Sequence, residues 1–173
     1  MTGRTAGIME ETVQDVEVKH RKRKGSVWCE VPSQDQANHF HLTEYAIGVF
    51  DCDDLKSVND QYGHDKGDLY LKAASRLICR VFQHSPVFRI GGDEFAVVLT
   101  GEDFQNRDQL VQQFNEAKKG AAASSENIWE QVHIALGIAV YDPEADSSVN
   151  DTARRADKIM YENKRAGKAA ETE

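Results

Sequence analysis

The pattern of apolar and polar positions predicts three extended regions from residue 45 onward. "YAIGVF", residues 45–50, is a continuous apolar run that stops at the acidic "DCDD", which predicts a buried strand with acids at its C-terminal end. "PVFRI" and "EFAVVL" flank Gly91 and Gly92, which predicts a hairpin with a type I′ turn, because both turn positions of that type need positive φ. "VHIALGIAV", residues 132–140, alternates with period two and predicts a further strand.

Helical periodicity marks three further segments. The first, "GDLYLKAASRLICRVF", carries its apolar stripe on Tyr70, Ala74, Leu77, Ile78 and Val81. The second, "RDQLVQQFNEAKK", is amphipathic through Leu110, Val111 and Phe114. The third is expected to start within Ser148–Asp151, to end at Gly167, and to pack through Val149, Ala153, Ala156 and Met160. The order strand, helix, hairpin, helix, strand, helix predicts an α+β fold, a mostly antiparallel sheet flanked by helices.

Composition narrows the class of protein. The 173 residues are 40% apolar with a net charge of −8, which is typical of a soluble globular domain and argues against a general nucleic-acid binder. No run reaches the roughly 20 apolar residues of a membrane helix, and the N-terminus lacks the apolar core of a signal peptide. Cys29, Cys52 and Cys79 show no metal-binding spacing, so free thiols in a reducing cytoplasm are expected. The basic run "KHRKRK", residues 19–24, is interpreted as a solvated linker rather than a grip for an anion or a lipid headgroup.

The acids at the two strand ends are the first candidate site. Asp51 and Asp53 follow the first strand, and Asp93 and Glu94 follow the paired glycines. If the hairpin and the first strand are neighbours, several carboxylates meet at one edge of the sheet and repel each other. A hard cation such as Mg²⁺ would relieve that repulsion, and Mg²⁺ in turn implies a phosphate substrate. The alternative is a hairpin whose acids are merely solvated, because "GGDE" alone is ordinary turn chemistry.

The next segment, "DLKSVNDQYGHDKGD", adds groups suited to a nucleotide. Lys56 offers a point charge for phosphate. Asn59 and Asp68 carry groups that can bond the edge of guanine, although an acid at Asp68 could equally cap the following helix. Gly63 and Gly67 are expected at positions where the backbone has a positive φ or where close packing leaves no room for a side chain.

Three motifs in this order resemble a known family. "FDCDDLKSVNDQYGHDKGD", "FRIGGDEFAVVL" and "ADKIMYENKRAGK", within about residues 44–168, resemble the GGDEF domain of bacterial diguanylate cyclases. The resemblance implies a fold similar to the nucleotidyl cyclase and polymerase palm. It also implies a nucleotidyltransferase activity: two GTP condense into cyclic di-GMP and two pyrophosphates when a 3′-hydroxyl attacks an α-phosphate. Each domain would hold one GTP and face a second copy in a transient homodimer.

The resemblance also implies roles for individual residues. Two Mg²⁺ ions per GTP, replaceable by Mn²⁺, would bind Asp51, Asp93, Glu94 and the Cys52 carbonyl. Glu94 would aid the metal or activate the hydroxyl, and Lys56 would stabilise charge on the phosphates. The expected nucleotide contacts are Asn59 and Asp68 for guanine, Lys164 and Lys168 for the terminal phosphates, and Gly91 and Gly92 for close approach of the guanosine.

Two departures from the family pattern bear on function. The opening D-x-L-T-G-x-x-N-R motif is absent, so residues 1–40 are interpreted as an atypical N-terminal segment, 41–168 as the catalytic domain and 169–173 as a tail. Phe82 and Ser85 occupy the positions of the Arg and Asp that bind inhibitory product. The alternative function is a weak or inactive module that binds GTP or a protein partner. In either case an upstream sensor domain in the full-length protein is expected.

Overall fold

The computed structural model describes residues 44–170, so the interpretations of residues 1–40 lie outside the described part. Within residues 44–170, four strands and five helices follow the predicted order, with two short helices added. The strands are β1 (Ala46–Cys52), β2 (Val87–Arg89), β3 (Glu94–Leu99) and β4 (Ile134–Val140). The helices are α1 (Leu55–Tyr62), α2 (His64–Val81), α3 (Gly101–Gln105), α4 (Arg107–Ser124) and α5 (Val149–Ala170), with a 3₁₀ turn at Ile128–Glu130.

The strands form one sheet in the order β2-β3-β1-β4, and every pair is antiparallel. This confirms the predicted α+β fold with an antiparallel sheet. β1 lies between β3 and β4, which explains its continuous apolar sequence, because an inner strand covered by helices is buried on both faces.

Each face of the sheet packs against different helices. On one face Phe50 of β1 makes edge-on ring contacts with Phe82 and Phe114, at centroid distances of 5.6 and 5.4 Å. On the other face Ile47 and Val49 belong to a second cluster with residues of α5. Since side chains alternate along a strand, Asp51 continues the face of Ile47 and Val49 and therefore points toward α5.

Helix α5 approaches β4 so closely that Gly137 has no room for a side chain. A Cβ there would lie 2.1 Å from the backbone nitrogen of Met160 and 2.3 Å from the carbonyl oxygen of Ala156. Asn163 Nδ2 also donates to the Leu136 carbonyl at 2.9 Å. These contacts fix the second half of α5 over the end of the sheet that carries the acids. They also bury the face of β4 that carries Ala135 and Ala139, while Ile134 and Leu136 belong to the core cluster on the opposite face. β4 is thus buried on both faces, although its period-two pattern indicates only one apolar face.

The hairpin between β2 and β3 is present, but the predicted type I′ turn is wrong. Residues 90–93 connect the strands, and among the described glycines only Gly63 and Gly101 have positive φ. The Ile90 and Gly91 N–H groups both donate to the Glu94 carbonyl, at 3.0 and 3.3 Å, which closes a longer loop. Gly91 therefore needs another explanation, which the site provides.

Three smaller predictions are also corrected. Helix α5 does start at Ser148–Asp151, where the Asp151 carboxylate accepts from the Ser147 N–H at 3.0 Å and the Ser148 hydroxyl at 3.1 Å. However, Val149 is exposed, and Gly167 lies inside the helix rather than ending it. Cys52 is a free, buried thiol, whereas Cys79 is disulfide-bonded, so the expectation of free thiols was wrong for Cys79.

Candidate functional site

Asp51 and Glu94 lie directly opposite each other where β1 pairs with β3. Directly opposed residues of an antiparallel pair project to the same face of the sheet. Both carboxylates therefore lie on the face covered by α5. The neighbourhood of hairpin and first strand, on which the sequence argument depended, is confirmed by this register.

Cys52 and Asp93 are joined through the backbone at the same end of the sheet. The Cys52 N–H donates to the Asp93 carbonyl at 2.8 Å. The Cys52 side chain points into the core, where burial, and then the charges of Asp51 and Asp93, raise the pKa of its thiol to about 12. A neutral buried thiol is a poor ligand for a hard cation, so only the backbone carbonyl of this residue is a chemically suitable donor.

Lys164 is the cation at the centre of these acids. Its Nζ lies 2.6 Å from Asp51 Oδ1 and 2.9 Å from Asp53 Oδ1. Burial works against its charge, but the hydrogen bonds to both carboxylates prevail and raise the pKa of Lys164 above its ordinary value. Lys168, one turn later and more exposed, lies 3.4 Å from the same Asp53 oxygen. The two lysines predicted for phosphate contacts are thus placed beside the predicted metal ligands.

The donor set at this end suits Mg²⁺ in its chemistry, since it consists of carboxylate and carbonyl oxygens. Among residues 44–170, however, no group of three or more His, Cys, Asp or Glu side chains is arranged as a metal site. Asp51 instead has the ammonium of Lys164 as its partner.

Gly91 and Arg89 shape the loop that carries Asp93. A Cβ on Gly91 would lie 2.7 Å from Glu94 Oε2, so glycine leaves that carboxylate its space. Arg89 donates through Nε to the Gly91 carbonyl at 3.1 Å and through Nη2 to the Gly92 carbonyl at 2.6 Å. Gly91 therefore serves close approach rather than turn handedness, whereas a Cβ on Gly92 would meet nothing within 4 Å. Arg89 braces this loop, a role that the sequence prediction missed although Arg89 lies only two residues before Gly91.

Asn59, Gly67 and Asp68 form a second group where α1 meets α2. Gly63, with φ of 87°, separates the two helices, as its predicted positive φ requires. A Cβ on Gly67 would lie 1.9 Å from Asn59 Oδ1, so the predicted close packing is confirmed. Asp68 lies in the second turn of α2, which begins at His64, so the alternative that Asp68 caps this helix is wrong. Asp68 is exposed, and Lys56 is exposed on α1.

The segment between β1 and α1 is held by Tyr70, which the sequence indicated only as a core residue. Its hydroxyl donates to the Asp53 carbonyl at 2.5 Å and accepts from the His133 N–H at 2.9 Å. The chain then turns at Asp54, which has φ of 66°, a left-handed conformation that is uncommon for residues other than glycine. A strained residue next to candidate ligands is typical of functional segments.

Comparison with known proteins agrees with this geometry. The family model described as "Diguanylate cyclase, GGDEF domain" matches residues 32–170. The chain is 31% identical over 129 residues to a probable diguanylate cyclase, DgcT, of Escherichia coli strain K12, a match that covers 73% of this chain and 28% of that protein. It is also 31% identical over 119 residues to a diguanylate cyclase of Vibrio cholerae, covering 68% of this chain and 36% of that protein.

The solved structures show the same fold. The active GGEEF domain of a diguanylate cyclase from Vibrio cholerae is similar with a TM-score of 0.62 and 27% identity, over 77% of this chain and 83% of that one. The chain spans only 28% and 36% of the length of the two relatives compared by sequence. No helix within residues 44–170 is long and apolar enough to cross a membrane. With the family model matching most of its length, the chain belongs to the GGDEF family of diguanylate cyclase domains.

Proposed function

We propose that this domain is an active diguanylate cyclase, which condenses two GTP molecules into cyclic di-GMP and releases two pyrophosphates. The observation that supports this most is the gathering of Asp51 and Glu94 with Lys164 at one end of the sheet. Acids on two paired strands can bind a metal ion, and a lysine from a helix distant in sequence can bind the triphosphate that the ion accompanies. A purely structural ion pair would not need the second strand's acid.

The chain's own residues have separate tasks in this proposal. Glu94, opposite Asp51, accepts the proton of the attacking 3′-hydroxyl or helps to hold the metal. Lys56, on the first turn of α1, stabilises charge on the phosphates. Lys164 and Lys168 bind the terminal phosphates from α5. Gly91 and Gly92 keep the loop backbone open to the nucleotide.

Diguanylate cyclases of this family generally use Mg²⁺, and the residues that would hold it here are Asp51, Asp93, Glu94 and the Cys52 carbonyl. When bound, two such ions per GTP, or Mn²⁺ in their place, neutralise the charge that develops on the phosphates. The oxygen donors fit that ion by type.

Guanine is proposed to bind between α1 and α2, where Gly67 allows the Asn59 amide to lie beside the start of α2. Asp68 can accept from the N1–H and the amino group of guanine. Adenine has no donor at N1, so it would leave the carboxylate unpaired, and a site built on such bonds rejects the analogue that lacks them.

Catalysis requires two copies, because each domain holds one GTP. We propose a transient homodimer with facing sites, placed together by an upstream sensor domain in a longer protein. Residues 41–168 would form the catalytic domain, with 1–40 as a separate N-terminal segment and 169–173 as a tail.

Incubation with GTP and Mg²⁺, followed by mass spectrometry of the products, tests the proposal. Cyclic di-GMP and pyrophosphate are expected, no cyclic product is expected from ATP, and specific activity should rise with protein concentration. GTP binding without product at any concentration would show instead a binding module without chemistry. Activity that stays constant in a demonstrated monomer would contradict the two-copy arrangement.

A further inference from the structure

Asp53 is one of the acids of the first candidate site but was assigned no role of its own, yet it contacts both of the lysines proposed for the phosphates. Its Oδ1 lies 2.9 Å from Lys164 Nζ and 3.4 Å from Lys168 Nζ. The Asp53 side chain is only 15% exposed, whereas that of Lys168 is 62% exposed. A largely buried carboxylate therefore anchors a cation that otherwise extends into solvent.

The position of Asp53 does not depend on the lysines, because its backbone is fixed from two sides. The Asp53 N–H donates to the His133 carbonyl at 2.8 Å, and the Asp53 carbonyl accepts from the Tyr70 hydroxyl at 2.5 Å. Tyr70 lies on α2 and is 1% exposed, and His133 directly precedes β4. Asp53 is thus a fixed point to which two flexible side chains are attached.

Lys164 divides its bonds between Asp53 and Asp51. Under the proposed function Asp51 binds the metal, and a cation at Asp51 repels the Lys164 ammonium at that distance. Asp53 is not needed for the metal and can keep Lys164 at the same end of the sheet. We propose that Asp53 is a positioning residue, which holds Lys164 and Lys168 toward the terminal phosphates of GTP. This inference rests on the proposed function.

One substitution distinguishes a positioning role from a purely electrostatic one, because the two roles predict opposite changes in GTP affinity. Asp53→Asn removes a negative charge close to the proposed phosphate site, which by charge alone should strengthen binding of an anionic nucleotide. If Asp53 positions the lysines, the same change should weaken GTP binding by about tenfold, since two charge-assisted contacts lose their orientation. Binding of GMP, which lacks the terminal phosphates, should stay within about twofold.

The measurement is isothermal titration calorimetry of the whole chain with Mg²⁺ and GTP, GDP or GMP. Asp157→Asn is the matched control: Asp157 is half-buried on α5, and its charge interacts with that of Asp51. This control should leave GTP affinity unchanged or raised. Asp53→Glu, which keeps the carboxylate, should recover part of the lost affinity. In a Lys164→Met, Lys168→Met background, Asp53→Asn should cause no further loss.

The results distinguish failure of this inference from failure of the proposed function. Wild-type protein that binds GTP and forms cyclic di-GMP, with Asp53→Asn binding GTP equally or more tightly, would overturn the positioning role and leave the function intact. An equal loss for GTP and GMP would also overturn it, because it would indicate general damage to the fold. Wild-type protein that does not bind GTP would overturn the proposed function and this inference with it.

Discussion

Helix α5 forms ion pairs with acids at both of its ends, and the two pairs are built differently. Near its start, Arg155 contacts Asp146, which is 5% exposed. Near its end, Lys164 contacts Asp51 and Asp53. The first pair connects α5 to the loop after β4, and the second connects α5 to the end of β1. Their differences show what separates a structural pair from a candidate functional one.

Both oxygens of the Asp146 carboxylate accept hydrogen bonds. The carboxylate accepts from Arg155 through both oxygens, from the Thr152 hydroxyl at 2.9 Å and from the Asp142 N–H at 3.0 Å. Arg155 also donates to the Val140 carbonyl at 2.6 Å. The planar guanidinium satisfies both oxygens at once, and such a saturated pair has no capacity left for a ligand.

At the other end, Asp51 and Asp53 share the ammonium of Lys164, and Lys168 makes a longer contact with Asp53. Glu94 lies opposite Asp51 on the next strand. An ammonium is a point charge that can move between partners without breaking a fixed geometry. Several acids around an exchangeable cation are what a site for a metal and phosphates needs. We therefore expect substitutions at this end to change activity and those at the Asp146 end to change stability.

The largest effect is expected from Asp93→Ala at the functional end. The Asp93 side chain lies on a loop, and its structural bond to the Cys52 N–H uses the backbone carbonyl, which alanine retains. Cyclic di-GMP formation should fall at least about a hundredfold, as for loss of a major charge-stabilising group, with little change in melting temperature. Product quantification and thermal unfolding test this, and normal activity in the folded variant would contradict the role of Asp93.

Gly137→Ala should cause the largest loss of stability, because it acts where α5 meets β4 between the two pairs. The added Cβ would lie 2.1 Å from the Met160 nitrogen, so the helix must move away from the sheet. Overpacking of this kind costs about 1–3 kcal/mol of unfolding free energy, and more where backbone is the obstacle. Gly167→Ala is the control, since a Cβ there meets nothing within 4 Å. It should stabilise the helix by up to about 1 kcal/mol in denaturant titrations.

Asp146→Asn should lower the unfolding free energy by about 1–3 kcal/mol at neutral pH, because the partly exposed Arg155 guanidinium loses the charge of its buried carboxylate partner. The Arg155 hydrogen bond, against the effect of burial, lowers the pKa of Asp146 from 3.8 to about 2. A lowered folded-state pKa stabilises the protein above the ordinary value, and this contribution is lost as pH falls from about 4 to about 2. Acid titrations of stability should thus be steeper for wild type than for the variant. Identical acid profiles would show that the pair contributes nothing.

Asp68→Ser should have the smallest effect on the fold, because Asp68 is exposed within α2 and the helix propensities of aspartate and serine are similar. GTP affinity should fall by about 1–3 kcal/mol through loss of a charged hydrogen bond, while ATP affinity should stay or improve. Titration of both nucleotides against wild type and variant measures this. Unchanged GTP affinity would contradict the role of Asp68 in binding guanine.

The positions of Phe82 and Ser85 illustrate how far the sequence could be taken. The sequence alone shows that the Arg and Asp that bind inhibitory product in the family are absent at these two positions. Only the structure shows that Phe82 is 0% exposed against Phe50 and Phe114, and that the Ser85 hydroxyl donates to buried Asp103 at 2.6 Å. Phe82 and Ser85 are thus part of the buried interior.

By itself, the sequence determined the order of elements and the antiparallel sheet, because apolar periodicity records which faces are buried. It also brought Asp51 and Glu94 into one region, since an inner strand and a hairpin of the same small sheet must lie close together. It could not determine the loop at Gly91 and Gly92, where the bonds from Arg89, and not intrinsic turn preference, set the conformation. Nor could it show that Lys164 contacts Asp51 and Asp53, residues 113 and 111 positions earlier. That contact depends on how closely α5 packs on Gly137, and such distances exist only once the tertiary structure has formed.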